Sequence, residues 1–178
     1  MQDVMIDLET MGTGPDSAIV SIGAVEFDRA AQQLGETFYV AIDLKSAQHT
    51  GGVIDADTVL WWLKQSSQAR EALCGTSVQM ASALASFSGW LRGRCELRDV
   101  RIWGNGSDFD NVILANAYRR LAVPVPWKFW NNRCYRTWKN EHPEAVLKRS
   151  GTHHNALDDA ISQAEHMLQV EFTEAPVR

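Results

Sequence analysis

Asp3-Val4-Met5-Ile6-Asp7-Leu8-Glu9-Thr10 opens the chain with an apolar run that ends in two acids. Side chains on an extended strand alternate faces, so Asp7 and Glu9, two residues apart, project together. Two adjacent carboxylates repel each other, and without a cation one of them tends to keep its proton. A divalent metal at this point would relieve the repulsion, provided the rest of the chain supplies further oxygen ligands. An Asp-x-Glu pair alone also occurs on exposed strand edges and turns.

The strand is read over residues 3–8 and ends in the turn-rich run Thr10 to Asp16, with Gly12, Gly14 and Pro15. Ala18 to Asp28 reads as a second strand, with Ile19, Ser21, Gly23 and Val25 on one face and Val20, Ile22 and Ala24 on the other. Gly35 precedes a third, Thr37 to Ile42, and the short connections predict an antiparallel meander. After a polar loop through Gly51-Gly52, helices are predicted over Asp57 to Leu63 and Ser77 to Leu91. Val100 to Trp103 is a fourth strand, and a helix follows from Phe109 to Leu121, ended by Pro124 and Pro126. Trp127 to Trp130 reads as a fifth strand, Arg133 to Glu141 as a short helix and Ala156 to Val170 as the last helix. Strands followed by alternating helices and strands predict an α/β fold, a mixed sheet with helices on its faces.

The bulk properties agree with one soluble unit. The 178 residues suffice for a single domain, expected over 1–170, with 171–178 as a tail. A hydrophobic fraction of 45% and a charged fraction of 22% exclude wholesale disorder. Cys74, Cys95 and Cys134 form no C-x-x-C pair and are read as reduced thiols. Asp3 stands where a signal peptide would be basic, and no apolar run approaches the roughly 20 residues of a membrane span, so a cytoplasmic location without membrane contact is expected. The formal net charge of −5 argues against coating nucleic acid by bulk charge, but not against an enzyme that reaches phosphates through metals.

Further acids fall where such a sheet could deliver them to Asp7 and Glu9. Asp110 lies just past the fourth strand at the start of a helix, with Asp108 as a rival that would serve as a helix cap. Asp159 lies one turn into the last helix with His154 before it, and Asp158 and His153 are their neighbours. His153-His154 raises zinc, but His49, His142 and His166 lack ligand spacing and no cysteine is paired nearby. Gly12-Thr13-Gly14 and Gly104-Asn105-Gly106 lack the dinucleotide-binding spacing and read as turns.

Asp7-Leu8-Glu9-Thr10, Phe109-Asp110 and His154-Asn155-Ala156-Leu157-Asp158-Asp159-Ala160, in this order, resemble the three motifs of the DEDDh exonuclease family. The resemblance spans residues 4 to about 168, includes Ile22-Gly23-Ala24-Val25, and leans towards a phage and bacterial branch. It departs from the proofreading type at Met11 and at Asn105, which stands five residues before Asp110. It implies a ribonuclease-H-like fold and 3'-5' hydrolysis of phosphodiester bonds at single-stranded DNA or RNA ends. It also implies Asp7, Glu9, Asp110 and Asp159 as carboxylates for two magnesium or manganese ions, with His154 as general base, and Phe109 selects Asp110 over Asp108. The implied partner is a nucleic acid with a free 3' end. A non-catalytic binding module on this fold and a ribonuclease-H-type endonuclease are the alternatives, and the oligomeric state stays open, a homodimer included. Between Lys128 and Arg149, six basic residues, Lys128, Arg133, Arg136, Lys139, Lys148 and Arg149, face Glu141 and Glu144, a balance of +4 that suits either a phosphate-binding surface or a solvated face.

Overall fold

A computed structural model describes residues 2–170; Met1 and the tail expected at 171–178 lie outside the described residues. Five strands, β1 (Asp3–Thr10), β2 (Ile19–Asp28), β3 (Gln33–Ala41), β4 (Arg101–Gly104) and β5 (Asn132–Cys134), form one sheet in the order β3-β2-β1-β4-β5. The first three pair antiparallel, and β4 and β5 add on in parallel to β1 and to each other. Seven helices complete the described chain: α1 (Leu44–His49), α2 (Ala56–Trp62), α3 (Ser67–Cys74), α4 (Met80–Arg94), α5 (Asp110–Arg120), α6 (Tyr135–Glu141) and α7 (Ala156–Met167).

Alternation on β1 sorts the core into two layers. Val4, Ile6 and Leu8 face one side, where Ile22, Ala24 and Ile102 meet Leu84, Phe87 and Leu91 of α4 and Ile113, Leu114 and Tyr118 of α5. Met5 faces the other side, with Val25, Phe27 and Trp103 under Tyr135 and Trp138 of α6 and Ala160, Ala164 and Met167 of α7. Period two then puts Asp7 and Glu9 on the α7 side, past the end of that second apolar layer.

Four elements depart most from the sequence reading, each for a local reason. β3 begins at Gln33, not Thr37, because a bulge absorbs Gly35 and Glu36: Thr37 pairs with Val25 and Leu34 with Phe27. The fifth strand lies at 132–134, not at Trp127 to Trp130. Trp127 is a core anchor whose ring meets Phe87 and Tyr118, and Phe129–Asn131 forms a single 3-10 turn before pairing to β4 begins. The helices α1 and α3 have no counterpart in the sequence reading, being too short to show an apolar period. Their caps were the available signal: Asp43 accepts from Ser46 N, and Ser66 from Ala69 N.

Candidate active site

The carboxylates gather where the C-terminal half of β1 meets the start of α7. Asp7 pairs with Gly23 of β2, and a Cβ on Gly23 would lie 2.2 Å from the carbonyl carbon of Ala156. The bare glycine lets the first turn of α7 rest on the sheet, which brings Asp159 to β1. Asn155 caps α7 by accepting from Leu157 N and Asp158 N.

Carboxylate oxygens of Asp7, Glu9 and Asp159 lie within 4.8 Å of one another. Asp110, the first residue of α5, is buried beside them, and its two oxygens accept from Leu8 N at 3.1 Å and Asn105 N at 2.8 Å. Asn105 thus serves this acid through its backbone. Asp108, by contrast, is exposed. The two candidates on α7 also separate: Asp158 turns back to accept from Thr152 N at 2.7 Å, whereas Asp159 points inward and accepts from His154 N at 2.9 Å.

This crowding has a clear electrostatic signature. Asp7 is held well above the usual carboxylate range, first by burial and then by Asp110, Glu9 and Asp159, against one hydrogen bond from Gln163. Burial, then Asp159 and Asp110, push Glu9 up to about 8. Burial also raises Asp110, to about 7, although the amides of Asn105 and Leu8 oppose it. All three directions are those expected of acids in a site built to share positive charge.

His154 stands at the mouth of this cluster with φ of 66°, a left-handed conformation uncommon outside glycine. Its ring meets Trp61 edge-on at 4.8 Å and stacks on His153 at 3.7 Å. Burial, then the neighbouring His153, lower its pKa, with Asp159 opposing. Both histidines line the cleft, His153 exposed and His154 half-buried against Trp61. Ring nitrogens of both histidines and an oxygen of Asp159 also lie within 4.8 Å of one another.

A cleft of about 580 Å³ joins these groups, lined also by Trp61, Trp62, Phe109, Lys139 and Arg149. Several of its contributors, Gln163, Arg149, Trp61 and Trp62 among them, escaped the sequence reading as site residues. Gln163 donates to Asp7 Oδ1 at 2.8 Å, and its place one turn after Asp159 on the same helix face was a usable signal. Arg149 donates to Asp159 Oδ1 at 2.6 Å from a loop without regular structure, and no spacing announced it. Trp62 donates its indole N–H to Thr10 O at 3.0 Å, which fixes α2 beside β1 and leaves Trp61 facing His154.

Comparison with known proteins agrees with the layout. The model of the 3'-5' exoribonuclease Rv2179c-like domain matches residues 2–170. An exodeoxyribonuclease of Enterobacteria phage T4 is 28% identical over 161 residues, covering 77% of this chain and 70% of the phage protein. E. coli exonuclease I in complex with a dA16 oligonucleotide shares the fold with a TM-score of 0.65 at 15% identity, over 95% of this chain and 41% of that one. The nuclease domain of 3'hExo, a DEDDh family member bound to rAMP, does so with a TM-score of 0.61 at 12% identity, over 94% of this chain and 90% of that one. This chain therefore spans less than half the length of exonuclease I. With three motif-bearing segments drawn to one cleft and the family match running through all of them, the chain belongs to the 3'-5' exoribonuclease Rv2179c-like domain family and is a 3'-5' exonuclease with the fold of a DEDDh family member.

Proposed function

We propose that this exonuclease is metal-dependent and releases mononucleotides from single-stranded 3' ends, with Asp7, Glu9, Asp110 and Asp159 as its metal carboxylates and His154 as general base. The observation that carries the proposal is the set of Asp7, Glu9 and Asp159 oxygens within 4.8 Å of one another, at the floor of a cleft that His154 borders. The donors suit magnesium or manganese, which prefer oxygen ligands. Gln163 Oε1 is buried there without a hydrogen-bond partner, a further acceptor beside Asp7. Two such ions would supply the positive charge that phosphodiester hydrolysis needs at the attacked phosphorus and the leaving oxygen.

The residues then divide the work. A ring nitrogen of His154 takes the proton of the attacking water, and its lowered pKa keeps it unprotonated at neutral pH. Gln163 holds Asp7 in place, and the amides of Leu8 and Asn105 do the same for Asp110. Lys139 and Arg149 bring positive charge to the cleft wall, suited to a phosphate. Trp61, 41% exposed, and the half-buried Phe109 line the same cleft and offer aromatic surface to an unpaired base, which favours a single strand over a duplex.

The test is digestion of matched end-labelled DNA and RNA, single- and double-stranded, with and without magnesium. Mononucleotides released only with metal, and faster from single strands, are expected. The family description names an exoribonuclease and the phage relative an exodeoxyribonuclease, so both backbones belong in the assay. Binding without cleavage would leave only a nucleic-acid-binding module, and cleavage of a circular single strand would make the enzyme an endonuclease.

A further inference from the structure

We infer that the segment from Lys128 to Lys139 is a second nucleic-acid contact, a track outside the cleft that holds the single strand upstream of the bond being cut. Phe129 and Trp130 are its base-stacking end. The inference rests on the exonuclease reading and adds where the rest of the substrate lies.

Two exposed rings are the first observation. Phe129 and Trp130 are 74% and 60% exposed, and Phe129 is the most exposed large apolar side chain among the described residues. Their ring centroids are 5.0 Å apart and nearly perpendicular, so together they present a shaped aromatic surface to solvent. Trp127, two residues earlier, is buried, so the local chain has a route into the core that these two side chains do not take.

Charge is the second observation. From Trp127 to Asn140 the chain carries Lys128, Arg133, Arg136 and Lys139 and no Asp or Glu, in a protein of net charge −5. Lys128 Nζ lies 6.0 Å from the centre of the Trp130 ring, and Arg133 Nη1 donates to the Trp130 carbonyl at 3.0 Å. Lys128 and Arg133 therefore sit beside the aromatic pair, and Arg136 and Lys139 lie towards the cleft.

Continuity with the cleft is the third. Arg136 donates to Asn105 O at 2.8 Å, and Asn105 and Lys139 both line the cleft. Strand β5 and the start of α6 connect Arg133 to Arg136, which makes the track unbroken from cleft to aromatic pair. Trp130 stands five residues from Tyr135 of the cleft wall, at most about 17 Å of chain. A strand of several nucleotides leaving the cleft can span that distance, and a decamer against a dinucleotide tests where the contact begins.

The occupant must combine negative charge at regular intervals with flat apolar groups, and single-stranded nucleic acid does so. A second copy of this chain would bring like-charged patches face to face across a two-fold axis, which repels.

The experiment compares the wild type with Trp130→Ala, Trp130→Phe and the double substitution Phe129→Ala/Trp130→Ala. One arm measures kcat and KM with magnesium on a dinucleotide and a decamer of thymidylate, and of uridylate. A second arm measures binding of a labelled decamer by anisotropy in calcium, which needs no turnover. The expected result is a decamer KM and dissociation constant raised about 10-fold or more in the double variant. With it, kcat and the dinucleotide KM should stay unchanged, and Trp130→Phe should remain close to wild type. Decamer binding unchanged in the double variant would overturn the track. So would sedimentation showing a wild-type dimer that the double substitution splits, since a second copy would then be the occupant. Failure of the exonuclease reading looks different: the wild type would bind the decamer and cut nothing, while the variants would still report on the track through binding.

Discussion

Gly23 and Ala156 touch so closely that a single added carbon at Gly23 would lie 2.2 Å from the Ala156 carbonyl carbon. This contact seats α7 on the sheet directly beside Asp7, which pairs with Gly23 across the β1–β2 ladder. Gly23→Ala must lift α7, because the colliding atoms are backbone. We expect a loss of about 1–3 kcal/mol of stability and a disproportionate fall in nuclease activity as Asp159 leaves Asp7. Chemical denaturation and single-turnover cleavage on the same preparation check this; wild-type activity would show that α7 does not need that seat.

Asp7, Glu9 and Asp159 converge to within 4.8 Å. Magnesium or manganese at about 100 times its dissociation constant should stabilise the fold by about 2.7 kcal/mol, read as a rise in Tm. Asp159→Ala should lose both that rise and metal-dependent mononucleotide release. A variant that still melts higher with metal would move the binding site elsewhere.

The metal-free protein should become less stable as pH rises. Glu9 goes from an ordinary value of 4.5 to about 8 on folding, and Asp110 from 3.8 to about 7. The folded state therefore holds more protons than the unfolded one between those limits. Stability is fully present below the unfolded values and is lost as pH passes through 7 to 8. Glu9→Gln should flatten the dependence of Tm on pH in chelator, and a steep fall that survives in Glu9→Gln/Asp110→Asn would contradict the assignment.

His154 is half-buried against Trp61, while His153 is exposed. His154→Ala should lower kcat by about 10²-fold or more at neutral pH, and His153→Ala should keep most of the rate. Because burial and His153 lower the His154 pKa, the acid limb of the kcat/KM profile should fall below pH 6.5. The reverse pattern of losses would make His153 the base.

Asp3 accepts from Arg101 Nε at 2.6 Å and from Trp103 Nε1 at 2.7 Å at the end of β1 remote from the cleft. Asp3→Ala removes a buried carboxylate and leaves the Trp103 indole N–H without its acceptor, and should cost about 1–3 kcal/mol. Below its melting transition the variant should cleave at the wild-type rate, since no member of this network lines the cleft. Comparison of urea midpoints with kcat separates the two effects.

Legibility in the sequence followed the range of the interactions. The apolar β1, the capped α2 and the longer α5 and α7 follow from period and turn chemistry within a few residues. The fifth strand was misplaced onto Trp127 to Trp130 because its position depends on Trp127 reaching Phe87 and Tyr118, and aromatic content alone suits either strand or anchor. Arg149 was counted only as one member of a basic run, since its hydrogen bond to Asp159 is set by the path of a loop with no repeating pattern.

The sequence by itself determined that Asp7 and Glu9 share a face, because alternation along a strand is a property of the backbone, and it announced the family through three ordered motifs. Tertiary structure decided how neighbouring acids part: Asp110 is buried where Asp108 is exposed, and Asp159 meets Asp7 and Glu9 where Asp158 turns away. Adjacent residues of like chemistry differ only in where their side chains point. That direction is set by contacts such as Leu8 N donating to Asp110 across 102 positions of sequence, or Asp158 turning back to the Thr152 amide while Asp159 meets β1.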